Sequence, residues 1–113
     1  MSLPMQRLDA DVSVAPQLAP EAMAEAAAAG FRSVINNRPD FEGGPDQPTS
    51  ASMEAAARAA GLEYVWLPVA SNFQSEAEIA RFGELIETLP RPILAFCRSG
   101  TRSGRLWQAA KQR

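Results

Sequence analysis

The sequence predicts an α/β domain in which a mainly parallel sheet of about four or five strands carries helices on its faces. Three observations lead there. The chain has 113 residues, enough for one domain built on one core, so residues 1–113 are read as a single unit. Apolar residues make up 46% and charged residues 21%, a globular composition rather than a disordered or fibrous one. Runs of strand-forming residues alternate along the chain with runs that carry helix boundary signals, an order that implies parallel strands joined by crossover helices.

Residues 1–7 are expected to be an irregular tail, and Met1 to Leu3 are given no role. Val12 to Val14 reads as a short strand limited by Pro16. Pro20 and Glu21 at one end and Gly30 at the other bound a helix of about three turns, in the order that capping and dipole physics favour. Val34 and Ile35 centre a strand over Phe31 to Asn36. Asn37 to Thr49 holds three prolines, a Gly-Gly pair and two aspartates, which makes it a loop long enough to carry function. Ser50 or Ser52 is expected to cap an Ala-rich helix that ends at Gly61. Leu62 to Val69 is a largely apolar run of strand formers, expected to be buried on both faces. Ser75 and Glu78 spell a capping box, and Ile79, Phe82, Ile86 and Leu89 follow at helical spacing until Pro90 and Pro92 stop the helix. Ile93 to Phe96 reads as an interior strand, and Ser103 to Lys111 as a helix with Leu106, Trp107 and Ala110 facing inward.

Two small counts restrict the chemistry. There is no histidine, which excludes a Ser-His-Asp triad, a Cys-His pair and an imidazole metal site. The one cysteine, Cys97, excludes an internal disulfide and a thiolate zinc cluster, so neither a metal nor another cofactor is expected. No apolar run is long enough to cross a bilayer and the first residues lack a signal-peptide pattern, so the expected location is cytoplasmic, with no membrane partner. The net charge of −2 conceals an asymmetry. Residues 1–90 set thirteen carboxylates against five arginines, a balance of −8, whereas residues 91–113 hold five arginines and Lys111 with no acid, a balance of +6. That basic segment is short and lacks interleaved aromatics, so nucleic acid is not an expected partner.

In a parallel sheet, ligands gather beyond the carboxyl ends of the strands, and Cys97 stands directly after the last one. The segment Cys97-Arg98-Ser99-Gly100-Thr101-Arg102-Ser103 joins that strand to a helix through a short loop. Free N–H groups at the helix start, the positive end of its dipole and the Arg102 guanidinium all favour the thiolate form of the cysteine. The alternative for a lone cysteine is a small buried apolar residue. A polar Arg/Ser/Gly/Thr loop argues against it, and the chain has neither of the glycine-rich nucleotide-binding patterns.

The loop resembles two families of cysteine enzymes. The C-x-x-G-x-x-R pattern of cysteine-dependent phosphatases matches Cys97 and Gly100 but meets Ser103 where those enzymes place arginine, because Arg102 comes one residue early. The shorter ring from Cys97 to Arg102 looks like the C-x4-R active-site loop of rhodanese-type sulfurtransferases, which surrounds a persulfide. Four segments together, Val34 to Asp40, Pro45 to Pro48, Leu62 to Val69 and Phe96 to Ser103, are similar to the phosphatase-like domain of the beta-lactamase-hydrolase-like proteins, a bacterial family also labelled as sulfur transferases. Asn37 departs from that family, where an apolar residue is more usual. The resemblance implies a fold like the dual-specificity phosphatases and a metallo-beta-lactamase-like partner.

Two discriminators then favour sulfur over phosphate. Cysteine phosphatases use an aspartate to protonate the leaving oxygen, and this chain has no aspartate after Asp46. General acid catalysis is typically worth about 10²- to 10⁴-fold, so its loss would leave a slow phosphatase unless Asp40 or Asp46 reached in from the long loop. A ring closed one residue early also offers fewer amides and suits a single charged sulfur better than three phosphoryl oxygens. The expected activity is therefore sulfur transfer through a Cys97 persulfide, on a small anionic sulfur substrate. The alternatives are a phosphatase acting on a phosphate substrate and a non-catalytic oxyanion-binding or redox-sensing domain. Cys97 and Arg102 are the expected catalytic residues, and Arg98, Ser99, Gly100, Thr101 and Ser103 the rest of the anion-binding loop, with Ser103 either donating to the thiolate or capping the helix. Arg38 is an accessory anion ligand or a partner of Asp40. Trp66 and Trp107 are expected in the core, and Arg105 and Lys111 in solvent.

Overall fold

The structure is a computed structural model that describes residues 3–113, so Met1 and Ser2 of the expected tail lie outside the described residues. Its elements are β1 (Gln6–Arg7), β2 (Val12–Ala15), α1 (Ala22–Ala28), β3 (Ser33–Asn36), α2 (Ser50–Ala59), β4 (Glu63–Trp66), α3 (Glu76–Thr88), β5 (Ile93–Phe96) and α4 (Thr101–Lys111). They form one sheet in the order β1-β2-β5-β3-β4, parallel except for β1, which runs antiparallel to β2. The α/β class and the mainly parallel sheet expected from the alternation of elements are therefore present.

Alternation along each strand divides the core into two layers. Val34, Leu94 and Phe96 face α1 and α2, where Met23, Ala26, Met53 and Ala57 pack. Ile35, Ile93 and Ala95 face α3 and α4, where Phe82, Leu85, Ile86 and Leu106 pack. α3 begins with both hydrogen bonds of the Ser75–Glu78 capping box. The register sets Ala15, Phe96 and Asn36 side by side, with Trp66 beyond Asn36. This line is the carboxyl edge of the sheet, and Cys97 follows from its centre.

Four local expectations are corrected. Gln6 and Arg7, assigned to the tail, pair with Val14 and Ser13 as β1. Thr49, not Ser50 or Ser52, caps α2 by accepting from the Ser52 N–H, while the Ser50 N–H is taken by Asp40. β4 is an edge strand with Glu63 and Trp66 exposed, not buried on both faces, because only β3 pairs with it. The last helix starts at Thr101, since Gly100 turns the chain two residues earlier than the apolar spacing suggested.

Candidate active site

The central strand β5 delivers Cys97 to the edge of the sheet, and the Cys97 N–H donates to Ala15 O at 3.3 Å, extending the strand pairing by one residue. The chain then reverses at Gly100, whose φ of 91° is open to glycine and strained for other residues. The turn aims the Gly100 N–H at Cys97 Sγ, 3.1 Å away. Gly100 also begins α4, so the next amides belong to a first helical turn and have no acceptor behind them. Thr101 N–H reaches Ser99 Oγ at 3.4 Å; among the described residues those of Arg102 and Ser103 have no acceptor. These free amides and the helix dipole form a seat for an anion. Cys97 itself is 1% exposed, in contrast to the open thiol expected from its polar neighbours, because the loop folds back over the end of β5.

Arg102 is buried beside the sulfur's loop and tied on two sides. Its Nη1 donates to Val69 O at 2.9 Å and Asn37 O at 3.4 Å, and its Nη2 donates to Glu42 Oε1 at 2.9 Å. Its Nε is buried and has no partner. Buried donors are almost always satisfied, and among the described residues Trp107 Nε1 is the other buried side-chain donor without a partner. Arg38, also buried, donates from Nε to the same Glu42 oxygen at 2.9 Å and from Nη1 to Gln17 Oε1 at 3.1 Å. Burial pushes the Glu42 pKa up, but hydrogen bonds and charge from Arg102 and Arg38 outweigh it and hold the carboxyl below its ordinary 4.5. Two guanidiniums thus share one carboxylate, leaving one positive charge that a thiolate or a bound anion would balance.

The long loop 37–49 is built to present Glu42. Gly43 N–H donates to Gln47 Oε1 at 2.7 Å and Gln47 Nε2 to Pro39 O at 2.8 Å, which closes the loop on itself. Asp40 Oδ1 anchors its far end by accepting from Ser50 N–H at 2.7 Å. A Cβ on Gly43 would stand 2.6 Å from Arg38 Nη2, so glycine there lets Arg38 pack beneath the loop.

Gly100 meets the Cys97 sulfur and Arg102 meets Arg38 through Glu42, while other expected residues face elsewhere. Ser103 neither donates to the sulfur nor caps α4; its hydroxyl donates to Asn37 Oδ1 at 2.8 Å. Asn37, polar at a position where the resemblance implies an apolar residue, is fully buried, donates to Leu67 O at 3.0 Å and so joins α4 to the ends of β3 and β4. Asp40 Oδ1 accepts from the Ser50 N–H and does not pair with Arg38, and Asp46 is exposed. Arg98, Ser99 and Thr101 lie on the outside of the turn, exposed. Trp66 is 42% exposed rather than in the core, with Nε1 donating to Arg38 O at 3.0 Å. Lys111 is exposed as expected, with its Nζ 3.8 Å from Asp9 Oδ2 and 5.9 Å from the centre of the Trp107 ring. Glu42 was not legible beforehand; its one sequence signal is a position four residues after Arg38.

Among the described residues no group of three or more acidic, cysteine or histidine side chains is placed to hold a metal, and no helix is long and apolar enough to cross a membrane. The arrangement sets a thiol, free first-turn amides and an anchored guanidinium at one edge of the sheet, groups of the kind that can hold a tetrahedral oxyanion.

The sequence profile for the phosphatase-like domain of beta-lactamase hydrolase-like proteins matches residues 5–113. A beta-lactamase hydrolase-like protein of Xylella fastidiosa is 46% identical over 74 residues, which cover 66% of this chain and 17% of that protein. One from Agrobacterium fabrum is 41% identical over 76 residues, 67% of this chain and 17% of its length. A candidate phosphatase from Neisseria meningitidis superposes with a TM-score of 0.86 at 31% identity over 94% of this chain and 75% of its own. The catalytic domain of a PP-IP phosphatase from Saccharomyces cerevisiae shares the fold with a TM-score of 0.70, at 14% identity over 91% of this chain and 61% of that one. The dual-specificity-phosphatase-like fold is thus confirmed.

Proposed function

Because this chain belongs to the phosphatase-like domain family of beta-lactamase hydrolase-like proteins, we propose that it is a cysteine-dependent phosphatase with Cys97 as nucleophile and Arg102 as the phosphoryl-binding guanidinium. The observation that carries this reading is the buried Arg102 Nε, a donor without a partner on a side chain whose other nitrogens are fixed. Together with the free amides of Arg102 and Ser103 it provides donors for the oxygens of a phosphoryl group. The Gly100 N–H donates to Cys97 Sγ at 3.1 Å and orients the sulfur.

In the first step the Cys97 thiolate forms a bond to phosphorus, the bond from phosphorus to the leaving oxygen breaks, and that oxygen departs with the electron pair. In the second step water adds to phosphorus, the phosphorus–sulfur bond breaks, and the thiolate is restored while both protons of the water stay with the released phosphate. No side chain here supplies a proton to the leaving group: Glu42 is held ionised between two arginines, Asp40 is engaged and Asp46 is exposed. The reading therefore favours a leaving oxygen that departs as an anion, such as that of an aryl phosphate or a phosphoric anhydride.

The test is hydrolysis of an aryl phosphate with acid trapping of phosphocysteine. Turnover in the wild type and none in Cys97→Ser is the expected result. Sulfur transfer is the second reading, favoured by the ring closed at Arg102 and by the missing acid, which a departing sulfite does not need. It becomes the better one if no phosphate is released while thiosulfate adds one sulfur to Cys97. The aligned stretch spans 17% of the length of the curated relatives.

A further inference from the structure

Gln17 takes no part in the chemistry described above, yet it touches both flanks of the site. It follows Pro16 just past β2, and its side-chain amide is fixed at both ends: Oε1 accepts from Arg38 Nη1 at 3.1 Å and Nε2 donates to Leu18 O at 2.8 Å. Its backbone N–H donates to Arg98 O, in the loop after Cys97, at 3.1 Å. That bond does not continue the sheet. Ala15 and Phe96 are register partners and the Cys97 N–H meets Ala15 O, so a regular parallel ladder would next offer the Cys97 carbonyl to the Gln17 N–H. The loop offers the Arg98 carbonyl instead, one residue on, where the chain has left the strand. We propose that Gln17 is a positioning residue of the active-site loop, which holds the Arg98 carbonyl on the β2 side and so turns the Ser99 N–H toward the anion seat as a donor.

The peptide between Arg98 and Ser99 is planar and trans, so its C=O and N–H point in opposite directions. β5 lies between β2 and β3 in the sheet. A carbonyl drawn to the segment after β2 therefore sends the next N–H toward the segments after β3 and β4, where Asn37 O and Val69 O hold the Arg102 guanidinium. Among the described residues the Ser99 N–H has no acceptor, while the Ser99 hydroxyl, on the outer side of the turn, donates to Thr101 Oγ1 at 3.2 Å. The Gln17 side chain anchors the residue on Arg38 through a neutral amide, which adds no acid to the site. The inference rests on the anion-binding role proposed for this loop, and its test reads binding at single amides rather than turnover, so either can fail alone.

The test follows backbone amide resonances in nitrogen–proton correlation spectra as sulfate is added. In the wild type the Ser99 signal is expected to move together with those of Arg102 and Ser103. Movement at Arg102 and Ser103 without Ser99 overturns this inference and leaves the anion seat standing; no movement at any of the three overturns both. Gln17→Pro removes the N–H, so sulfate should bind about tenfold more weakly, the scale of one hydrogen bond to an ion, and the Ser99 response should vanish while Arg102 and Ser103 still respond. Wild-type affinity with the Ser99 response intact overturns the proposal. Gln17→Leu keeps the N–H and removes both side-chain bonds, so it should bind sulfate within about threefold of the wild type. Binding by Gln17→Leu as weak as by Gln17→Pro overturns the assignment to the N–H, because the lost hold on Arg38 would then be the cause. Should Gln17→Pro fail to fold, the wild-type response of Ser99 and the affinity of Gln17→Leu still decide the matter.

Discussion

Replacing Gly100 by alanine tests whether one backbone position organises the nucleophile. A Cβ at Gly100 would sit 3.4 Å from Ala15 C and 3.5 Å from Ala15 O, ordinary contacts, so space is not the obstacle. The obstacle is φ, which is 91° with ψ at −20°, outside the favourable left-handed region for an L-residue. Holding alanine there costs about 1–3 kcal/mol, or roughly 4–8 °C of melting temperature per kcal/mol in a domain near this size. If the peptide instead rotates to relieve the strain, the N–H that meets Sγ at 3.1 Å turns away. A hydrogen bond to a charged group contributes about 1.5–3 kcal/mol, so alkylation of Cys97 by iodoacetamide at neutral pH should slow by about tenfold or more. Gly104→Ala is the control: Gly104 lies inside α4 with nothing within 4 Å of a new Cβ, so alanine should stabilise by about 0.5–1 kcal/mol and leave the alkylation rate unchanged. A Gly100→Ala protein that melts and reacts like the wild type would refute the reasoning.

Ser103→Ala leaves the buried Asn37 Oδ1 without its donor and should cost about 1–3 kcal/mol in chemical denaturation; a loss below about 0.5 kcal/mol would remove Ser103 from the frame of the site. The Glu42 pKa is lower in the folded than in the unfolded chain, so its stabilisation is complete above about 4.5 and is lost as pH falls through the folded value. Melting temperatures below that pH should therefore drop more steeply in the wild type than in Glu42→Gln, and equal slopes would contradict the ion pairs. Asp46→Asn should leave aryl phosphate hydrolysis intact, whereas Asp40→Ala should weaken the start of α2 by about 0.5–2 kcal/mol, read in the melting curve; a collapse of turnover in Asp46→Asn would identify that residue as the general acid.

Much of this site could be read before folding was considered. Cys97 was marked by its place after an apolar run and before a glycine turn, and Gly100 by its place at the centre of that turn. Its place in the sequence offers Ser103 either to the sulfur or to the cap of the last helix; in space its hydroxyl faces Asn37, 66 residues away. Trp66 was read as buried from its apolar neighbours, yet no strand covers the outer edge of β4. Both differences arise where the partner comes from a distant element.

By itself the sequence determined the alternation of elements, the parallel sheet and the position of the thiol at its carboxyl edge. Those follow from hydrophobic period, caps and glycine turns, which act between near neighbours in the chain. Only the tertiary structure decided what surrounds the thiol. Glu42 and Arg102 are 60 residues apart, and no local pattern brings a carboxylate in the long loop onto a guanidinium in the last helix. Their pairing exists because β3 and β5 are neighbours in the sheet and end at one edge, so the segments that follow them must share the same few ångströms of space.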